Sequence, residues 1–231
     1  VLAVLYLIFN EGYLPSQPES AETRPDLCQE AIRLTRQLDE IVVAQLGSEP
    51  EVDGLLALML LTEARRPARF DGGVLVTLPD QDRTQWDSEL IDEGHALVRR
   101  CLARNQPGPY QLLAAINAVH TDALDASMTD WGQIGQLYDQ LYALSPTPLV
   151  ALNRAVAVAE LDGPDVALAL VDRLDLATYH AWAATRADLL RRLERYDEAR
   201  AAYDDAIALA GNAAERAWLT RRQGTLPASA S

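Results

Sequence analysis

The chain contains no lysine: all 20 of its basic residues are arginine. Cysteine, methionine and phenylalanine occur twice each and histidine three times in 231 residues, and aromatics make up 6%. Each scarcity excludes something. Set against 34 acids, the arginines leave a formal charge of −14, so most of the surface would repel phosphates and no direct DNA contact is expected. Cys28 and Cys101 lie far apart without a CxxC spacing, and they read as buried free thiols of a reducing compartment. The opening VLAVLYLIF is too short to span a bilayer and lacks the basic flank and cleavage site of a signal peptide, so no membrane association is expected and the compartment should be the cytoplasm. The chain also starts at Val1, uncapped and without methionine, which suggests a piece of a longer polypeptide.

Chemistry is scarce too. His95, His120 and His180 form no HExxH arrangement, and no GxSxG or SxxK nucleophile motif is present. Gly72-Gly73 is an isolated pair rather than a phosphate-binding loop. No metal, no cofactor and no enzymatic activity are expected. His120, at the end of LLAAINAVH, reads as a helix C-terminal histidine stabilised by the helix dipole rather than as a general base.

What the chain does have is apolar residues at three and four spacing almost throughout, which predicts an all-α fold built as an array of antiparallel helix pairs. Period-two alternation occurs only in GVLVTL. Helices are expected from Pro25 to about Leu46, from Pro50 to before Pro67, and from Thr84 onward, where Thr84-Gln85-Trp86-Asp87 fits a capping box. Trp86, Leu90, Ile91, Leu97, Val98, Cys101 and Leu102 then form one apolar stripe. Residues 1–106 make an N-terminal helical part with an irregular loop at 67–85, residues 107–223 a run of tetratricopeptide-like helix pairs, and residues 224–231 a disordered tail, and the whole is expected to be one continuous domain. In the last full pair, Tyr196, Glu198, Ala199, Tyr203 and Ala206, with Ala187 on the preceding helix, sit at tetratricopeptide-repeat spacings, and Ala155 and Ala167 occupy the matching small positions 32 residues earlier.

Several polar residues stand inside apolar helical sequence. Gln111, Asn153, Arg154 and Arg186 lie near small-residue faces, where buried arginines need partners, and Asp80, Asp82 and Asp139 are candidates. Two readings stay open: an internal ion-pair network that fixes helix order, or a concave pocket in which Arg83, Trp86, Tyr110, Trp131, Tyr138 and Arg154 receive a peptide or small anion.

Taken together, LYLIFNEGY, LPDQDRTQWD, GPYQLLAAINAVH, TDW with LYDQL, and PLVALNRAVAVAELDGP resemble the C-terminal, tetratricopeptide-like extension of a group of bacterial extracytoplasmic-function RNA polymerase sigma factors. The resemblance runs from about Val1 to Arg222, and both sigma regions of the family are missing here. It implies a regulatory, protein-interaction domain that modulates promoter-dependent transcription initiation. The implied partners are the chain's own N-terminal sigma regions, RNA polymerase and a small DGPF-type, YCII-like protein. The alternative is a small-molecule or anion sensor. The family pattern carries over no catalytic residue. Asp80, Gln81, Asp82, Arg83, Trp86, Asn153 and Arg154 match its motifs and, with Tyr110, Gln111, His120, Trp131, Tyr138 and Arg186, make up the candidate recognition or structural cluster.

Overall fold

The computed structural model describes residues 1–13, 24–47 and 49–227. Among them are eleven α-helices and one minimal hairpin. The expected all-α class is what the chain adopts. Two compact units divide it, the first holding the described residues up to Asp71 and 76–130, the second 72–75 and 131–227.

The first unit is organised around α3 (Pro50–Glu63). Its sequence is apolar on every side, so it has no face to give to water. Val52, Leu55, Leu56, Ala57, Leu58, Met59, Leu60 and Leu61 are each at most 3% exposed. Around it pack α1 (Leu2–Tyr13), α2 (Pro25–Leu46), α4 (Ser88–Arg104) and α5 (Pro109–Asp122). Gly54 permits the approach of α5, because a Cβ there would stand 2.6 Å from the Gln111 amide nitrogen. On α1, Leu5, Phe9 and Tyr13 face inward while Val4 and Leu7 are exposed. Cys28 and Cys101 are buried free thiols. Helix α5, grouped by sequence with the later pairs, packs instead against α3 and α4 and belongs to the first unit, so the unit boundary falls after Asp130 rather than at 106/107.

The segment between α3 and α4 is less irregular than its sequence suggests. It holds three short 3-10 turns and a hairpin of β1 (Phe70–Asp71) and β2 (Val74–Leu75), turned by Gly72 and Gly73 at positive φ. The Thr84 capping box does not form. Asp87 caps α4 itself, accepting the amides of Glu89 (3.0 Å) and Leu90 (3.1 Å), while the Thr84 hydroxyl donates to Asp82. An acid next to the helix outcompetes a hydroxyl three residues earlier, because a 3-10 turn at Arg83–Gln85 intervenes. Leu102, assigned to the apolar stripe, is 66% exposed; the buried stripe is Gly94, Leu97, Val98 and Cys101.

In the second unit α6 (Trp131–Leu144), α7 (Pro148–Leu161), α8 (Pro164–Val171), α9 (His180–Arg192), α10 (Tyr196–Leu209) and α11 (Ala213–Gly224) each pack on the next, and α9 also reaches back to α7. The seams are the small residues singled out by spacing: Ala155, Ala167, Ala187, Ala199 and Ala206 are fully buried, with Tyr203 among them. Without a longer side chain at these positions the helix axes come close, and Leu152, Leu190 and Leu219 fill the remaining space. Ordered packing continues past the expected start of the tail, since Leu226 is buried in the same core. Residues 228–231 of the expected tail lie outside the described residues.

Candidate functional site

The DQDR stretch is held by local hydrogen bonds. Thr77 Oγ1 donates to Asp80 (2.6 Å), and Asp82 caps the following turn by accepting from the Thr84 amide and hydroxyl and from Gln85 Nε2. Gln81 Nε2 donates to the Val76 carbonyl (3.2 Å). Neither aspartate pairs with an arginine. Arg83 leans over the Trp86 ring, 4.6 Å from its centroid, and its Nη1 donates to the carbonyls of His120 (2.7 Å) and Ala123 (2.6 Å). It thus satisfies free carbonyls at the C-terminal end of α5, where a cation also suits the helix dipole.

His120 is not the helix-terminal cation its position suggests. Burial, with Arg65 and Arg83 close by, pushes its pKa down to about 4, so at neutral pH it is uncharged. Arg83 takes the role expected of it.

Tyr110 and Gln111 lie at the other end of α5. Gly108, the N-cap, has no side chain to offer. Glu51 of α3 supplies the missing acceptor, taking the amides of Tyr110 (3.2 Å) and Gln111 (3.3 Å) and the Gln111 side chain (3.0 Å). The Tyr110 ring meets Tyr6 edge-on at 5.6 Å. The two ends of one 14-residue helix therefore separate Tyr110 and Gln111 from Arg83, Trp86 and His120.

Trp131, Tyr138, Asn153, Arg154 and Arg186 belong to the second unit. Arg154 pairs with Asp139 (2.6 Å), joining α7 to α6, and Arg186 with Asp172 (2.8 Å), joining α9 to the end of α8. Asn153 is exposed rather than inside the small-residue seam. The thirteen candidate residues thus form several local groups. Arg83, Trp86 and His120 share one neighbourhood of the first unit.

That neighbourhood contains residues the sequence did not single out. Arg65 donates to Asn117 Oδ1 (2.6 Å). Arg69 lies 3.8 Å over the centre of the Tyr13 ring, which Arg66 approaches at 5.4 Å. Arg66 holds Glu63 through two hydrogen bonds and donates to Cys28 Sγ (2.8 Å). The signal was present: ARRPAR concentrates three arginines in six residues of an acidic chain. A surface cleft of about 330 Å³ lies beside it, lined by Ile32, Arg36, Glu63, Arg66, Asp87 and Leu90. Its cations are already paired, Arg36 with Glu93 and Arg66 with Glu63. The other polar centre is Asp53, 1% exposed within α3, which holds Arg100 (2.5 Å) and Arg104 (2.7 Å) of α4.

Among the described residues no group of three His, Cys, Asp or Glu side chains could hold a metal ion, and no helix is long and apolar enough to cross a membrane. These features define a helical-hairpin protein whose polar residues mostly tie neighbouring helices. Residues 1–102 match the model of a family of unknown function, DUF6596. The chain is 46% identical over 223 residues to an uncharacterized protein of Rhizobium meliloti (strain 1021), an alignment that covers 95% of this chain and 51% of that protein. The chain therefore spans about half the length of the curated relative it matches. No solved structure matches it.

Proposed function

We propose that this chain is a regulatory, protein-interaction module of a cytoplasmic sigma factor of the extracytoplasmic-function type, which controls when the sigma regions engage RNA polymerase and promoter DNA. The observation that carries the reading is the run of helix pairs from α6 to α11, closed by alanine seams. Such arrays stack repeats and leave extended surfaces for protein partners. The ordered set of motifs shared with the extension of those sigma factors supports it, as does a relative of twice the length, with room for further domains.

The charge suggests how the module acts. A piece carrying −14 is complementary to basic surfaces that hold promoter DNA, and docking on them would mask them. Regulation is then a two-state equilibrium between docked and released modules, biased by polymerase, a small DGPF-type, YCII-like protein or a ligand.

The test is a calorimetric titration of this chain into the separately produced sigma regions of its parent at two salt concentrations. Binding is expected, with affinity falling several-fold at the higher salt. No binding by two independent methods, together with unchanged promoter-dependent transcription after deletion of these residues, would overturn the reading.

A further inference from the structure

In the first unit the partly buried arginines divide into two kinds. Arg66 and Arg104 hold carboxylates. Arg65, Arg69 and Arg83 hold none among the described residues, although the chain has 34 acids. Arg65 rests on Asn117 and Arg83 on two carbonyls, both neutral acceptors. Among the described residues Arg69 has only the faces of Tyr13 and Phe70. Glu63 is held by Arg66, and Asp125, which acts on Arg83 through its charge, accepts the amide and hydroxyl of Ser127.

The same place leaves donors empty. Arg65 Nε, Arg66 Nη1, Arg69 Nε and Trp86 Nε1 are buried without an acceptor among the described residues. Trp86 is 9% exposed. An unfilled buried donor is destabilising, the more so when it is charged. A guanidinium laid flat on an aromatic ring keeps its in-plane N–H groups for a planar or tetrahedral oxyanion, which it binds through two parallel hydrogen bonds. Burial is the first cause of the lowered proton affinity of His120, and Arg65 and Arg83 add to it, which places both arginines near this ring.

The geometry points to a binding site for a small oxyanion, the carboxylate or phosphate group of a metabolite, formed by Arg65, Arg69 and Arg83 over Tyr13 and Trp86. Such a site stands whether or not the chain docks on sigma regions. A bound anion would join the 64–69 segment after α3, which carries Arg65 and Arg69, to the 76–87 segment, whose Arg83 rests on the carbonyls at the end of α5. It replaces the anion pocket expected around Arg83 and Arg154, because Arg154 is already paired with Asp139.

The test follows the melting temperature of the chain in sodium phosphate, in sodium succinate, in sodium polyglutamate and in sodium chloride at one pH and ionic strength. It uses wild type, Arg69→Gln, Arg69→Lys and the exposed control Arg99→Gln. Phosphate, succinate or both should raise the wild-type and R99Q midpoints above the chloride value, and the responding salt identifies the group. Apparent affinity should fall at least tenfold in R69Q and at least about fivefold in R69K, which keeps the charge but not the fork. If R69Q does not fold, R69K carries the comparison. No shift with either anion, equal shifts in wild type and the Arg69 variants, or a response to polyglutamate alone would overturn the small-oxyanion site, the last result assigning the cluster to an acidic protein partner.

Discussion

Glu51 caps a helix it does not belong to: its carboxylate accepts the backbone amide of Gln111 at 3.3 Å. The same carboxylate takes the Tyr110 amide and the Gln111 side chain, while Gly108 offers the helix start nothing. A Cβ at 108 would stand 2.3 Å from Glu51 Oε1, so a larger residue there would push the carboxylate away from the amides it accepts. Cap and close packing of α3 on α5 are thus one device. Glu51→Ala should lower the unfolding free energy by about 1–2 kcal/mol, as losses of helix N-caps do, measured by urea denaturation. A loss below about 0.3 kcal/mol would mean that water replaces the carboxylate.

Asp53 is the more costly acid to lose. It is 1% exposed and its two oxygens hold Arg100 and Arg104. Both arginines reach solvent, which lowers the penalty of stranding them. Asp53→Asn removes the charge but keeps the shape, and should cost about 3 kcal/mol, the lower end for breaking a buried pair. Unfolding curves of D53N, R104Q and the double variant would show it, because the pair predicts losses that do not add.

His120 makes stability depend on pH in a defined direction. Its folded pKa is about 4, below its ordinary value of 6.5. Below pH 6.5 the unfolded chain takes up a proton that the folded chain refuses. The stability is therefore complete above pH 6.5 and is lost as the pH falls toward about 4, with a loss of about 2 kcal/mol by pH 5. His95, whose pKa burial also lowers, acts in the same sense. Urea midpoints of wild type should fall between pH 7 and 5 more steeply than those of His120→Gln. Equal slopes would show that His120 takes its proton in the folded state.

The two thiols should be inert until the first unit opens. Burial pushes Cys28 up to about 12, even with Arg66 beside it, and Cys101 up to about 11. Only thiolates react quickly with disulfide reagents. At pH 8 the folded chain should release less than about a tenth of the colour of the urea-unfolded chain within minutes. Rapid reaction of one thiol in the native state would mark a local opening of α1 or α2.

How much of this was legible follows from what each residue depends on. The alanine seams of the second unit were read correctly because helix period and small size at fixed spacing leave few ways to pack. The start of α4 was misread because Thr84 and Asp87 can both accept amides, and only the intervening turn selects Asp87. Arg83 was singled out by sequence, but Arg65 and Arg69 were passed over because ARRPAR at a helix end looks like cations near a helix C-terminus, meant for water. Their burial comes from Tyr13, Asn117 and Trp86, which are remote in sequence. Glu51 was equally hidden, since a cap borrowed from another helix leaves no local motif.

The second unit offers a direct contest between its polar and its small residues. Arg154 and Asp139 are 37% and 59% exposed, and solvent-exposed ion pairs contribute roughly 0–1 kcal/mol. Ala187 is fully buried in the seam of α9, where extra methylenes force neighbouring helices apart. Arg154→Ala should therefore cost less than about 1 kcal/mol, whereas Ala187→Leu should cost about 2–3 kcal/mol although it adds apolar surface. Thermal unfolding of the two variants decides between the sources of order. If R154A proved the more damaging, the ion pairs rather than the alanine seams would be what fixes the stacking of these helices.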